Sequence, residues 1–302
     1  MPRMKLRRTK ATQSRTLNGV SARGLAREFW PSFLASRRKA IALEAWRRGE
    51  QYNPDADGIL DDFRDGAWSG APFLPDGHDD EYDELATKMP SPWAGLVTRS
   101  IVQMAYVEGV RRPKAQENMR VWEAWQRNRQ DSGQTGLHTA AVAHGLAYGL
   151  VIPGRPDPLA GGVAFPKYLQ RSAIRMAAFY EHDEDEWAIF AIDGERYVDG
   201  LNWGWNVVLY DERAAYQFNV KGDGADESDW EFQGVIFEHD MKVPPVARCV
   251  NSLDLDGHAT GEIEPVIPLL RRIDQDVFDR LIVQRFGAWK IRYIAGMAKP
   301  ST

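Results

Sequence analysis

GEIEPVIPLLRRIDQDVFDRLIVQRFGAWKIRYIAGMAKP, residues 261–300, is the stretch on which the reading of the fold turns. Pro268 stands where a first helical turn tolerates proline, and Val266, Leu270, Ile273, Val277, Leu281, Ala288, Ile291 and Ala295 recur at the spacing of one helical face. Arg271, Arg272, Asp274, Asp276, Asp279, Arg280, Arg285, Lys290 and Arg292 fill the remainder. The pattern predicts one helix of roughly 40 Å running to Gly296, apolar along one stripe and charged with both signs elsewhere. Such a helix needs neighbours to cover the stripe.

Upstream the pattern is that of strands. EWAIFAI at 186–192 meets Asp193-Gly194 and then ERYVD; WNVVLYDERAAYQFNV fills 205–220 before Lys221-Gly222-Asp223-Gly224; WEFQGVIF follows from Trp230. Short apolar or alternating runs broken by Asp/Gly turns predict an antiparallel meander over about 163–250, curved as one sheet against a helical lobe over about 28–150. In that lobe Phe33, Leu34, Ile41, Leu43, Ala45 and Trp46 mark a helix at 26–48 that stops at Gly49. Further helices are expected at 93–109, 116–129 and 135–149, the last dense in Ala and Gly that let another backbone come close. The fold class is therefore α+β, a helical lobe packed on a β meander and ending in a long amphipathic helix.

Three runs, in this order, also carry a resemblance: SPWAGLVTRSIVQMAYVEGV at 91–110, VWEAWQRNRQDSGQTGLHTAAVAHGLAYGLV at 121–151, and PVIPLLRRIDQDVFDRLIVQRFGAWKIRYIAGM from Pro265. Over about 52–297 the chain resembles the portal proteins of tailed phages, especially siphophages that infect actinobacteria, with the last run leading from wing to stem. The resemblance implies a structural, non-enzymatic subunit without cofactor. It implies a homo-oligomeric ring, usually dodecameric, at one capsid vertex, through which double-stranded DNA is packaged and ejected. Partners would be capsid proteins, the terminase motor and head-completion proteins, in the host cytoplasm during assembly and in the virion afterwards. The chain then divides into a basic mobile arm (1–27), a wing-like domain (28–262) and a stem-like helix (263–302). Leu270, Ile273, Val277, Leu281, Ala288 and Ile291 become the subunit-packing stripe of the stem, and Arg271, Arg272, Arg280, Arg285, Lys290 and Arg292 its polar surface. Family members continue past the equivalent of Met297 through a clip, a second stem helix, a tunnel loop and a further wing helix. A truncated, split or degenerate prophage gene, or an incomplete sequence, would each stop inside the stem in this way, and the uncovered stripe is then expected to favour ill-defined oligomers.

Composition agrees with a globular chain: 302 residues, 43% hydrophobic and 27% charged. No apolar run approaches the roughly 18 residues that cross a bilayer, and the basic N-terminus lacks the apolar core of a secretory signal. The net charge of -5 argues against a whole surface that grips nucleic acid, although an acidic conduit would let DNA slide. Cys249 is the only cysteine, expected as a buried small side chain. His138 and His144 are six apart, not the one-turn spacing of a helical zinc pair, and read as structural. The acids between Asp55 and Glu84 read as an exposed, dispensable loop. Asp254, Asp256 and Gly257 begin like a calcium loop, but its last ligand position falls on Ile263, so a plain Asp-Gly turn is expected. HDEDE at 182–186 reads as a hairpin end, and Trp203, Trp205, Tyr197 and Tyr210 as cross-strand packing rather than a stacking platform. No GxSxG, HExxH or P-loop pattern occurs. Two alternatives stand beside the portal reading: a carbohydrate-active hydrolase with paired carboxylates and a Trp-rich sheet, and a nucleic-acid-binding module acting through Arg3, Lys5, Arg7, Arg8, Lys10, Arg15, Arg23 and Arg27.

Overall fold

The computed structural model describes residues 19–52, 70, 72–74, 80–110, 119–157, 162–182, 185–199 and 202–287, and the class is α+β. Along the chain come α1 (Gly19–Arg48), α2 (Asp80–Thr87), α3 (Trp93–Val102), α4 (Met119–Arg127) and α5 (Gln130–His144). Then follow β1 (Leu146–Ile152), β2 (Pro156–Asp157), β3 (Val163–Ala164), β4 (Lys167–Ser172), β5 (Met176–Phe179), β6 (Phe190–Asp199), β7 (Asn202–Tyr210), β8 (Ala214–Lys221), β9 (Trp230–Glu238), β10 (Val246–Val250), β11 (Ser252–Leu253) and β12 (Ala259–Thr260). The helix α6 (Ile267–Gly287) closes the described chain.

The expected meander exists as the five-stranded antiparallel sheet β5-β6-β7-β8-β9. It is not the whole of the β structure: a second antiparallel sheet, β10-β1-β4, stands beside it, where a single curved sheet was expected. Tyr148, Leu150 and Val246 from the small sheet meet Met176, Ala191, Tyr210 and Ala215 from the large one in a buried cluster. The strand β1 occupies residues assigned from sequence to the end of a helix. The reason is Gly145, whose φ of 90° ends α5 as a left-handed cap, its N–H donating to the Ala141 carbonyl at 2.8 Å. Ala147 and Gly149 therefore belong to a strand. A Cβ at Gly145 would also lie 2.9 Å from the backbone of Thr260 and Gly261, so the chain crosses itself there with no room for a side chain.

On the other face of the large sheet lies α1. Ala22, Ala26, Phe29, Trp30 and Phe33 bury against Phe190, Ile192, Trp205, Val207, Leu209, Phe218, Val220 and Trp230. Trp30 stacks on Phe33 at 4.8 Å and meets Trp205 and Trp230 edge-on, both at 5.3 Å. The indole N–H groups of Trp30 and Trp230 donate to the carbonyls of Asp223 (2.7 Å) and Gly224 (2.9 Å), which ties the expected glycine turn after β8 to this core. Trp205 is thus packed against α1 and Tyr210 in the core between the two sheets, whereas Trp203 is 39% exposed with the Arg196 guanidinium over its ring.

Asp193-Gly194, taken from sequence as a turn, lies in the middle of β6. The hairpin instead turns between Asp199 and Asn202, which pair. A Cβ on Gly194 would come within 2.6 Å of Phe33 Cζ, so the glycine is where α1 presses closest on the sheet. Asp193 is buried and accepts from Arg171 Nε at 2.7 Å and Arg175 Nε at 3.4 Å. The HDEDE hairpin end connects β5 to β6, with Asp185 accepting from the His182 N–H. Asp254 accepts the N–H groups of Asp256 and His258 within its own turn, as an Asp-Gly turn does. Cys249, on β10, is half-buried rather than buried.

Candidate functional site

The site read from sequence is the stripe and charged face of α6, and its geometry begins with how the helix is attached. A short 3-10 turn, Glu264–Val266, carries Pro265 and leads into Ile267. Ile263, Ile267 and Leu270 bury against Leu43 and Trp46 of α1, Ala94 of α3 and Ala143 of α5. One turn further, Asp274 is almost inaccessible, at 1% exposure. Its carboxylate accepts from Ser91 Oγ at 2.6 Å and from Gln51 Nε2 at 2.8 Å, with the Ser91 N–H at 3.3 Å. Phe278 then inserts between Leu85, Ala86 and Met89, with Leu281 and Ile282 at its margin. Near the end of the described helix Phe286 stacks on Tyr82 at 5.2 Å and Arg285 pairs with Glu81 of α2.

The buried line is therefore Ile267, Leu270, Asp274 and Phe278, turned by somewhat over half a residue step from the stripe expected from sequence. Of that stripe, Leu270 is buried in its own domain, whereas Ile273, Val277 and Leu281 are half-buried on the flank. Ala288 and Ile291 lie outside the described residues, as does the expected run of the helix to Gly296. Arg271, Arg272, Arg280 and Arg285 are exposed, and Lys290 and Arg292 lie outside the described residues. On the side away from the body, Leu269 is 58% exposed and Val283 69%.

Part of the acid-rich stretch is not a loop. Asp80, Glu81 and Asp83 open α2, where carboxylates suit the positive end of the helix dipole, and Leu85, Ala86 and Met89 fasten it to α6. The rest of that stretch from 53 to 79 lies outside the described residues, apart from Gly70 and 72–74. The basic arm likewise divides. Helix α1 begins at Gly19, seven residues before the expected start, and Arg23 and Arg27 both pair with Glu227 at 3.0 Å. Arg3 to Arg15 lie outside the described residues.

A second polar knot ties α1 to α5. Burial alone would push the Glu44 carboxyl up, but hydrogen bonds from Arg47, His144 and Arg48 outweigh it and hold the group well below the usual carboxylate range. His144 Nε2 lies 3.2 Å from Glu44 Oε2, whereas His138 Nδ1 meets the Ala105 carbonyl at 3.2 Å, so the two histidines serve separate structural contacts. Among the described residues no three His, Cys, Asp or Glu side chains gather as metal ligands, and no helix is long and apolar enough to cross a membrane.

The missed parts of this site, Asp274 and Phe278, had a signal. They continue the Ile267, Leu270 line at a spacing of four, but a charged residue inside that line reads as solvent-facing.

The family model "Phage portal protein, SPP1 Gp6-like" matches residues 50–302, starting just past α1. No curated protein matches the chain significantly. That family is structural rather than enzymatic, which removes the hydrolase alternative. Its members are virion components that work in DNA packaging as an oligomeric ring with capsid and terminase partners. With a match over most of its length, an α+β fold and a C-terminal helix docked along one side, the chain belongs to the SPP1 Gp6-like phage portal proteins.

Proposed function

We propose that copies of this chain close into a ring, dodecameric as in the family the sequence resembles, at one capsid vertex, with double-stranded DNA passing through the centre. The three sequence runs favour the siphophage type found among phages of actinobacteria. Assembly in the host cytoplasm, docking of the terminase motor and later of head-completion proteins follow from that reading. In it α6 is the first stem helix. Ile273, Val277 and Leu281, half-covered by the subunit's own wing, offer their open flank to a neighbouring helix together with Ala288 and Ile291. Arg271, Arg272, Arg280, Arg285, Lys290 and Arg292 form the polar surface.

The observation that supports this reading is the one-sided attachment of α6. Asp274 and Phe278 fix one line of the helix to the wing, and Leu269 and Val283 remain in water on the other side. Exposed aliphatic side chains opposite a docked face suit a helix that gains a second neighbour on assembly. Electron microscopy and mass photometry of the purified protein test it. Rings with a central channel are expected as a minority among irregular oligomers, because the stripe of α6 is incompletely covered, and Val283→Glu should deplete both without lowering the melting temperature. Wild-type protein that stays monomeric at every concentration overturns the reading.

A further inference from the structure

The helices α1, α3 and α5 leave an open groove of about 1090 Å3 between them. Its floor is rigid: a Cβ on Gly95 would lie 2.6 Å from the Arg47 carbonyl, so α3 crosses α1 in direct backbone contact. Its outer wall is the stretch after α3, pinned to α5 by the Val107 N–H donating to Gln134 Oε1 at 2.7 Å and by the His138 contact to Ala105. Trp93, Leu96 and Tyr106 line the groove and are all more than half exposed. Arg47, Arg48 and Arg99 also line it, against Glu50 as the one acid in the lining. Glu44 engages Arg47 and Arg48, but Arg99 has no ion pair among the described residues. A preformed groove with apolar walls and surplus positive charge fits an apolar side chain flanked by acids.

The chain carries such a side chain elsewhere. Phe73 is 82% exposed, and its position is fixed: its N–H donates to Gln275 Oε1 at 2.9 Å, and Gln275 Nε2 donates to Asp279 Oδ1 at 2.9 Å. Pro72 is buried and Leu74 packs beside Phe278, so the backbone on either side is held while the ring stands in water. Asp279 and the exposed Asp80 and Asp83 supply acids on the neighbouring α6 and α2, where Glu84 is paired with Lys88 and Arg271, Arg272 and Arg280 are also exposed. We infer that Phe73 of one subunit inserts into the Trp93, Leu96 and Tyr106 groove of the next, with Asp279 and the α2 carboxylates facing Arg99 and Arg48.

This inference rests on the ring reading. A cyclic ring is built from head-to-tail contacts between two different patches, and an exposed aromatic knob with acids beside it and an apolar groove with Arg99 at its wall are such a pair. The two patches use different elements, α2 and α6 for the knob, α1, α3 and α5 for the groove.

The test uses the full chain with Cys249→Ala, adding Phe73→Cys and Leu96→Cys singly and together, treated with a short bis-maleimide. The double variant is expected to give a covalent ladder up to the full ring, and each single variant none. Independently, Arg99→Glu should lower ring yield by about tenfold, and Asp279→Arg in the same chain should restore part of it. Rings that form normally but give no ladder, with Arg99→Glu without effect, overturn the contact and leave the ring standing. Wild-type chains that never form rings overturn both.

Discussion

The two longest described helices, α1 and α6, are held in opposite ways. Helix α1 lies in an aromatic core in which Trp30 and Phe33 are 2% and 0% exposed, and the sheet makes room for it with a glycine. Helix α6 is held by four buried side chains with half-buried flanks, and a buried carboxylate stands in the middle of that line. The first arrangement is large and almost wholly apolar. The second is polar at its centre and leaves Leu269 and Val283 uncovered on the far side of the helix. On the proposed reading of α6 as a stem helix, a body that keeps its shape and a helix that gains partners call for these two solutions respectively.

The sharpest way to break the comparison is to remove Trp30. Trp30→Ala deletes a buried indole, three ring contacts and a hydrogen bond to the turn after β8, and should cost about 3–5 kcal/mol of global stability. Denaturant unfolding followed by fluorescence of the remaining tryptophans measures it. A loss below about 1 kcal/mol would mean that α1 is not what stabilises the sheet.

Asp274→Ala addresses the other helix. It strands the Gln51 amide and the Ser91 hydroxyl in a buried site, at about 1–3 kcal/mol. The expected signature is local: faster amide exchange along α6 and α2, with β6 to β8 unchanged. If the sheet loosens in step, α6 and the sheet are one cooperative unit and the contrast between the helices falls.

These same residues show what the sequence could disclose. The α+β class, the meander and the docked character of helices α3 and α5 were legible because apolar periodicity survives wherever one face meets a core. Asp193-Gly194 misled because a turn signal and a close-packing glycine look alike until Phe33, some 160 residues earlier, is seen above it. The end of α5 was misplaced because Gly145 and Gly149 are both plausible stops, and only the crossing at Gly261 chooses the first. On α6 the stripe was set one flank away from its true line because Asp274 was counted as surface. Its partners, Ser91 and Gln51, are about 180 and 220 residues away, and nothing local announces them.

Glu44 offers a gentler test, on the end of α1 that touches both systems. Its folded carboxyl is held below its ordinary value of 4.5, so the linkage sign is that of a depressed acid. Its contribution is full above about pH 4.5 and is lost as pH falls below that toward the folded value. Glu44→Gln should therefore cost about 1 kcal/mol at neutral pH and progressively less as the medium is acidified, flattening the acid limb of the stability profile. An unchanged acid limb would assign that limb to other carboxylates.

The smallest effect is expected at the entrance of α1, where Arg23 and Arg27 share Glu227. The carboxylate is 62% exposed and both pairs sit in water, so screening and side-chain entropy leave little net attraction. What fixes these first turns is rather Ala22 and Ala26, both fully buried under the helix where it meets the sheet. Glu227→Gln should then change stability by less than about 1 kcal/mol, and added salt should erase the difference. Ala26→Asp, by contrast, buries an unpaired charge at the same turn and should unseat residues 19–27 by amide exchange. If the two variants behaved alike, the start of α1 would be held by charge, and its attachment would resemble that of α6 rather than oppose it.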